Sequence, residues 1–140
     1  MKDTNNLLDY NVWSCGDYNE NSNGFNGSPS ITNEYSTMGD YCLKLENKTT
    51  TQTSVDSTIS SPPNTQYTLQ CNVYIIKGSI AVVLRDNTWG NTSLWKSPNG
   101  RWEELEITYT TASSASAIVI QFNKTANSEF YVDDICLIKG

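Results

Sequence analysis

The last eleven residues of the chain, Phe130-Tyr-Val-Asp-Asp-Ile-Cys-Leu-Ile-Lys-Gly140, place two adjacent carboxylates inside an apolar, β-prone run. Successive residues of a strand point to opposite faces, so strict alternation puts Asp133 on the face of Ile135 and Asp134 on the other face. One of the two aspartates is therefore directed toward a core. A buried carboxylate is costly unless it is hydrogen-bonded, paired or bound to a metal, so this strand predicts a structural polar contact or a metal ligand.

Length and composition indicate one β-rich domain. The 140 residues are enough for a single core, and no linker or internal repeat divides them, so residues 1-140 are interpreted as one module. A composition of 37% hydrophobic and 17% charged residues, with Asn, Ser and Thr filling the difference, favours strands and long loops over helices.

The charge distribution argues against nucleic-acid and membrane partners. Nine Lys and Arg against 15 Asp and Glu give a formal net charge of −6, which opposes binding to phosphate backbones or anionic lipid. No apolar run approaches membrane-spanning length, and the first six residues show no signal-peptide core.

The cysteines lack the paired spacing of a zinc site, and the chain has no histidine. A disulfide stays open for an extracellular chain, although buried free thiols are favoured. The four cysteines are Cys15, Cys42, Cys71 and Cys136.

Eight or nine short strands at regular spacing predict an all-β protein built as an antiparallel β-sandwich. The longest predicted strand is Tyr67–Ile76, and the turn residues 77–79 predict a hairpin that joins it to Ile80–Arg85. The stretch from Asp86 to Arg101 breaks every period and is predicted to be a loop. The inward side chains of the longest strand are expected to be Tyr67, Leu69, Cys71, Val73 and Ile75.

Five short signals occur in a recognisable order along nearly the whole chain. They are Asn6-Leu7-Leu8, Gly39-Asp-Tyr-Cys-Leu-Lys-Leu45, Pro63-Asn-Thr-Gln-Tyr-Thr-Leu69, Gly100-Arg-Trp-Glu-Glu-Leu105 and Phe130-Tyr-Val-Asp-Asp-Ile-Cys-Leu137. Together they resemble the jelly-roll carbohydrate-binding modules of families four, nine and twenty-two, which are appended to polysaccharide-degrading enzymes. The resemblance implies a jelly roll and a non-catalytic binder of a polysaccharide or glycan, with its site on a concave sheet face or a loop cluster.

The same fold serves adhesins, virion tail and fibre proteins, and structural domains. A structural or adhesive jelly-roll domain of a cell-surface or virion assembly is therefore the alternative function. Both roles imply an extracellular or surface-exposed protein, whose partners include other modules or subunits of a larger assembly.

The resemblance also implies a structural calcium. Family members hold it with an acidic residue near the N-terminus, backbone carbonyls near an early strand and the first aspartate of the closing strand, which here is Asp133. Where the family often has Phe-Glu, this chain has Trp13-Ser14, so the expected glutamate is missing. Because calcium accepts six to eight oxygens in flexible arrangements, Asp9, Asp17 or Asp40 can take its place.

Sugar rings present apolar C–H faces and a fringe of hydroxyls, so a binding site needs flat aromatic rings and planar polar groups. The outward positions of the predicted strands place amides, an arginine and a tyrosine on one sheet face, because the hairpin is expected to set the longest strand beside Ile80–Arg85. Two tryptophans lie in a loop without the periodicity that would bury them. An ordinary solvated sheet face is the alternative interpretation. The candidate ligand-binding residues are Gln70, Asn72, Tyr74, Arg85, Trp89, Trp95 and Gln121.

The sequence predicts no catalytic residue. Each of the adjacent pairs Glu103-Glu104 and Asp133-Asp134 points to opposite faces of a strand, so neither pair can flank one glycosidic bond. With no histidine, the usual base for a serine or cysteine nucleophile is also missing. The protein is therefore not expected to be an enzyme. A small hydrolase is the third and least favoured function, and it requires two carboxylates from distant strands within reach of each other in one cleft.

Overall fold

The computed structural model describes residues 7–8, 30–33 and 42–140. In these ranges the chain forms strands and no helix, and no segment of them is a candidate membrane-spanning helix. The strands are β1 Ser30–Thr32, β2 Cys42–Asn47, β3 Thr53–Ser60, β4 Gln66–Lys77, β5 Ile80–Asp86, β6 Asn91–Lys96, β7 Glu103–Thr110, β8 Ala117–Lys124 and β9 Ser128–Lys139. The all-β prediction is confirmed.

The strands form two antiparallel sheets. In the described part of the chain, one sheet has five strands in the order β1-β2-β9-β4-β7, and the other has four in the order β3-β8-β5-β6. Two antiparallel sheets packed face to face make a β-sandwich, as the strand pattern predicted.

The core lies between the two sheets, and β4, β5 and β8 contribute alternate residues to it. The five residues of β4 predicted to face inward are all buried in this core. Burial of such apolar surface is the dominant favourable term in folding. The core residues of the three strands are Tyr67, Leu69, Cys71, Val73 and Ile75 of β4, Ile80, Val82 and Leu84 of β5, and Ile118, Ile120 and Phe122 of β8.

The predicted hairpin between β4 and β5 is wrong. β4 pairs with β7 and β9, whereas β5 pairs with β6 and β8, so the two strands lie in different sheets. The turn holds Gly78 at a φ of +76°, and a Cβ on Gly78 would lie 2.6 Å from the Cβ of Ser128. A glycine in the left-handed region indicates a sharp turn of the chain. Such a turn can connect two strands of different sheets as well as the two strands of a hairpin.

The predicted loop from Asp86 to Arg101 contains strand β6, Asn91–Lys96. In the described structure β6 pairs with β5 only, at the edge of the four-stranded sheet. Its side chains alternate between exposed and half-buried, and none is fully buried. An edge strand that buries so little carries no apolar period, which is why the sequence pattern missed it.

A β-bulge interrupts β9 at the two aspartates. Gln70 of β4 pairs with Cys136, while Asn72, two residues later, pairs with Asp133, three residues earlier on β9. The extra residue is accommodated at Asp134, whose φ is +51°.

The bulge reverses the alternation that the sequence suggested. Val132 and Ile135 both belong to the core, so Asp133 lies on the side opposite Ile135, and the predicted shared face is wrong. Asp133 is nevertheless fully buried, as expected for one of the pair. Its Oδ1 accepts a hydrogen bond of 2.8 Å from the backbone N–H of Asp134.

The described cysteines are buried and form no disulfide, which confirms the favoured interpretation for Cys42, Cys71 and Cys136. Cys15 lies outside the described residues. Burial, with a smaller contribution from the charge of Asp134, raises the pKa of Cys71 to about 12. This thiol is therefore protonated at neutral pH, and a protonated thiol is a poor nucleophile.

Replacing Gly78 by alanine is expected to destabilise the fold by roughly 3 kcal/mol or more, because left-handed strain and overlap with Ser128 add. Gly100 is the matched control: its φ is +75°, but an added Cβ would have no neighbour within 4 Å. Gly100→Ala is therefore expected to lose only about 1 kcal/mol. Urea unfolding of both variants measures the difference, and equal losses would contradict the close packing of the corner.

Candidate functional site

The four-stranded sheet turns one face away from the core, and this surface is called the outer face below. Its middle consists of small apolar side chains, of which Ala81, Val83 and Val119 are almost fully buried although they point outward. Larger polar and aromatic side chains surround them. The outer-face residues in β3, β8, β5 and β6 include Asp56, Ala81, Val83, Arg85, Asn91, Ser93, Trp95, Val119, Gln121 and Asn123.

Trp95 lies on the edge strand β6, at one end of the outer face. It sits opposite Ala81 of β5, which in turn sits opposite Asn123 of β8. The side chain of Trp95 is 51% exposed. An exposed indole that shares a register row with an amide matches the composition expected of a sugar-stacking surface.

Trp89 lies in the turn of the β5–β6 hairpin in a conformation that favours glycine. Its backbone N–H donates to the carbonyl of Asp86 at 3.2 Å, and the N–H of Asp86 donates to the carbonyl of Gly90 at 3.0 Å. The φ of Trp89 is +73°, and its side chain is 70% exposed. A large residue in the left-handed region carries about 1–2 kcal/mol of strain, and such strain is concentrated at functional sites.

Arg85 connects Trp89 to the sheet. Its guanidinium carbon lies 4.1 Å from the centre of a ring of Trp89, which is a cation–π contact. Its Nε donates to Oε1 of Gln121 at 2.8 Å, and Nε2 of Gln121 donates to Oδ1 of Asn123 at 2.6 Å. A continuous polar row therefore runs from Trp89 across the sheet to Asn123, in the register row of Trp95.

The buried carboxylate of Asp86 holds the hairpin in place. Oδ1 accepts from the backbone N–H and the hydroxyl of Thr88 at 2.8 and 2.6 Å. Oδ2 accepts from the Tyr109 hydroxyl and the backbone N–H of Ala112, both at 2.8 Å. Because Tyr109 belongs to β7, this one side chain connects the hairpin to the other sheet.

The Asp86 contacts shift two pKa values in opposite directions. Burial alone would raise the pKa of Asp86, but its hydrogen bonds with Thr88, Ala112 and Tyr109 outweigh that effect and lower it from 3.8 to about 2. Burial, together with the hydrogen bond to Asp86, raises the pKa of Tyr109 to about 12. The space is also tight, since a Cβ on Gly90 would overlap the Tyr109 hydroxyl.

The structure brings together four of the seven candidate ligand-binding residues. Trp95, Arg85 and Gln121 lie on the outer face, and Trp89 stacks on Arg85 beside them. The expectation that the candidates of β4 share this face is wrong, because it depended on the hairpin between β4 and β5.

Gln70, Asn72 and Tyr74 lie on β4, on the outward side of the five-stranded sheet and so on the opposite side of the sandwich. All three are half-buried. Tyr74 packs edge to face against Trp102, with ring centres 5.7 Å apart. This aromatic pair is separate from the outer face.

Asp86 is the functional-site residue that the sequence interpretation missed. The spacing of Asp86 and Thr88 is the signal that was available, because an aspartate often accepts from the backbone and hydroxyl groups two residues later in a turn. Its contacts with Tyr109 and Ala112 join positions more than twenty residues apart, and no local pattern predicts them.

Of the aspartates predicted to bind calcium, the structure describes Asp133 alone. Asp133 is a fully buried carboxylate, a chemistry that suits a calcium ligand. Asp9, Asp17 and Asp40 lie outside the described residues. The described part of the chain contains no group of three or more potential His, Cys, Asp or Glu ligands. The calcium site stays a prediction that depends on donors outside those ranges.

No family model and no curated protein matches this chain. Several solved structures are similar to it. A family 61 carbohydrate-binding module in complex with β-1,4-galactotriose is 16% identical, with a TM-score of 0.65 over 96% of this chain and 99% of that one. A family 22 xylan-binding domain of Paenibacillus barcinonensis Xyn10C is 13% identical, with a TM-score of 0.62 over 85% and 87% of the two chains.

These similarities confirm the jelly-roll fold and the predicted resemblance to carbohydrate-binding modules. A third similarity is to the enzymatically active domain of bacteriophage CBA120 tailspike protein 4. It is 12% identical with a TM-score of 0.69, and the match covers 97% of this chain and 22% of the tailspike chain. The fold therefore occurs both as a separate module and as part of a virion protein.

Asp86→Asn is expected to destabilise the protein by about 2 kcal/mol or more at neutral pH, because an amide cannot accept from all four donors. The folded-state pKa of Asp86 lies below its ordinary value, so its stabilising effect is complete above pH 3.8 and is lost as the pH falls toward 2. Urea unfolding at several pH values measures the free energy of unfolding of both proteins. The difference between wild type and Asp86→Asn should become smaller as the pH falls over that range. Glu104→Gln, at an exposed carboxylate of β7, is the control and should change little. A difference in the free energy of unfolding that does not change with pH would contradict the role of the Asp86 carboxylate.

For the calcium site, we propose that adding calcium raises the melting temperature relative to EDTA by several degrees, since a ligand that binds only the folded state stabilises it. Asp133→Asn should abolish this calcium-dependent shift, whereas Asp134→Asn should retain it. Calorimetric titration of calcium into the EDTA-treated wild type provides a direct measurement. A shift retained in Asp133→Asn would contradict the assignment.

Proposed function

We propose that this protein is a non-catalytic carbohydrate-binding module that binds a poly- or oligosaccharide on its outer face. The ligand stacks on Trp89 and Trp95 and forms hydrogen bonds with the polar row that begins at Trp89. The observation that carries the proposal is a pair of exposed indoles on one face: Trp89 contacts the polar row of Arg85, Gln121 and Asn123, and Trp95 lies in the register row of Asn123.

The two indoles are spaced for an extended ligand. Trp95 lies in the register row of Ala81, whereas Trp89 stacks on Arg85, four residues further along the same strand. Four residues of a strand span roughly 13 Å, so one ligand that contacts both indoles is longer than a single sugar ring. This arrangement supports recognition of several consecutive sugar units.

The polar row can donate hydrogen bonds to sugar hydroxyls. Asn123 accepts from Gln121 through Oδ1, which leaves its Nδ2 group to donate. Arg85 uses Nε toward Gln121 and one N–H of Nη1 toward the carbonyl of Asp86 at 3.2 Å, so three of its five N–H groups are available. Because the hydrogen bonds within the row hold these side chains in place, less conformational entropy is lost on binding.

The structural similarities support the same conclusion. The family 61 module that this chain resembles was solved with β-1,4-galactotriose, and the family 22 domain is described as xylan-binding. Both share the jelly roll, and each match covers most of both chains.

The residues of the outer face support binding without catalysis. Glycoside hydrolysis generally needs two carboxyl groups on either side of one bond. Among the described outer-face residues Asp56 is the only carboxylate. Asp86 follows Arg85 on β5 but points inward, where four hydrogen bonds occupy it.

The tailspike similarity favours a second candidate, a structural or adhesive domain of a virion or cell-surface assembly. In that role Trp89 and Trp95 would contact neighbouring chains instead of sugar. Both functions place the protein outside the cell or on a virion surface. The assembly role requires a stable oligomer in which these indoles become buried, which light scattering and tryptophan fluorescence can measure.

Binding is tested with soluble galactan, xylan and other plant and algal polysaccharides, by affinity electrophoresis and calorimetry. Trp89→Ala and Trp95→Ala are each expected to weaken binding tenfold or more, because truncating a central aromatic residue of an interface commonly has an effect of this size. Tyr74→Ala, on the opposite side of the sandwich, is the matched aromatic control and should bind like wild type. Failure to bind any polysaccharide, or loss only in Tyr74→Ala, would contradict the proposed site.

A further inference from the structure

Arg85 forms no ion pair with an acidic side chain of the described structure. Its guanidinium contacts the ring of Trp89, the amide oxygen of Gln121 and the backbone carbonyl of Asp86, and all three partners are neutral groups. In the described ranges the ion pairs with carboxylates are made by Lys48 and Lys96, and none by Arg85. Arg85 is also half-buried, so part of its hydration is lost. A cation held in this way is most stable when an anion joins it.

No charged side chain around Arg85 in the described structure forms an ion pair with it. On its own strand the neighbouring Asp86 is directed inward, where its carboxylate accepts four hydrogen bonds and none from the guanidinium. On β6 the residue opposite Arg85 is Asn91, and on β8 it is Val119, both uncharged. Asp56 of β3 lies one register row further along and faces Gln121.

The free edge of the guanidinium is suited to a planar or tetrahedral anion. The contacts through Nε and one N–H of Nη1 fix the plane of the group, while Trp89 covers one face of it. The remaining N–H groups of Nη1 and Nη2 form the fork that binds carboxylate or sulfate oxygens in a bidentate way. A neutral sugar can use this fork through its hydroxyls, but it leaves the charge unpaired.

We propose that the glycan recognised by the outer face is anionic, and that a carboxylate or sulfate group of the polymer pairs with Arg85. This inference rests on the proposed function and specifies its substrate class. The formal net charge of −6 acts against an anionic polymer at long range, but salt screens charges beyond about 10 Å at 0.1 M ionic strength, whereas a contact ion pair is much less affected.

The test uses polymers that differ only in the anionic group. Polygalacturonate and alginate are compared with their carboxyl-reduced forms, and a sulfated galactan with its desulfated form, so that uronate and sulfate recognition are measured separately. Wild type is expected to bind at least one anionic polymer ten- to a hundredfold more tightly than its neutral counterpart, since hydrogen bonds to charged groups have effects of about that size.

Variants of Arg85 identify the group responsible. Arg85→Gln should reduce the ratio of anionic to neutral affinity to about one. The affinity for the neutral form is also expected to fall, because Arg85 donates to the polar row and contacts Trp89, so the ratio of the two affinities is the readout. Arg85→Lys keeps the charge without the fork, and should retain part of the preference. Lys139→Gln, an exposed site on β9 with the same change in net charge, is the control and should bind like wild type. Thermal unfolding of each variant verifies that it is folded.

The outcomes separate the two proposals. A preference for the anionic form that Arg85→Gln abolishes supports the inference. Equal or tighter binding of the neutral forms by wild type would overturn it while leaving the carbohydrate-binding function intact, and so would a preference that persists in Arg85→Gln. Binding to none of the polymers, neutral or anionic, would overturn the proposed function and the inference with it.

Discussion

The carboxylate of Asp86 is the interaction on which the outer-face site depends. It is fully buried, and four hydrogen bonds connect it to the hairpin turn, to β7 of the other sheet and to the segment that follows β7. A buried charge is tolerated only when its hydrogen bonds replace the lost water. The same contacts that stabilise Asp86 therefore fix the turn carrying Trp89. Stability and site geometry are properties of one network here.

This support makes it possible for the hairpin to hold a strained residue. Trp89 occupies a left-handed position that glycine would adopt without strain, and its large apolar ring is exposed. Both features destabilise the folded state, so contacts made by neighbouring residues have to compensate for them. Arg85 covers one side of the indole and is held in turn by Gln121, which belongs to the central strand β8. The exposed part of the site thus rests on strands that are buried in the sandwich.

Sequence patterns correctly predicted whether a single side chain is buried or exposed. The alternation of β4 was predicted correctly because each inward residue meets the core independently of the others. The exposure of Trp89 and Trp95 was also predicted, since no apolar period accompanies them. The patterns failed at the corner of Gly78, at the edge strand β6 and at the bulge of Asp134. In each case the outcome depends on which strand lies alongside, and a local pattern carries no information about that neighbour.

The sequence by itself determined that the chain is an all-β sandwich, that its closing strand buries a carboxylate, and that two tryptophans are left outside the core. These properties follow from side-chain chemistry and from the period of two along a strand. Only the tertiary structure decided which candidates share a surface. It separated Tyr74 from Arg85 by sending β4 and β5 into different sheets, and it placed Arg85 between Trp89 and Gln121. The physical reason is that pairing between distant strands is set by the packing of the whole core, because each strand must bury its apolar face and fill its hydrogen-bonding edges at the same time.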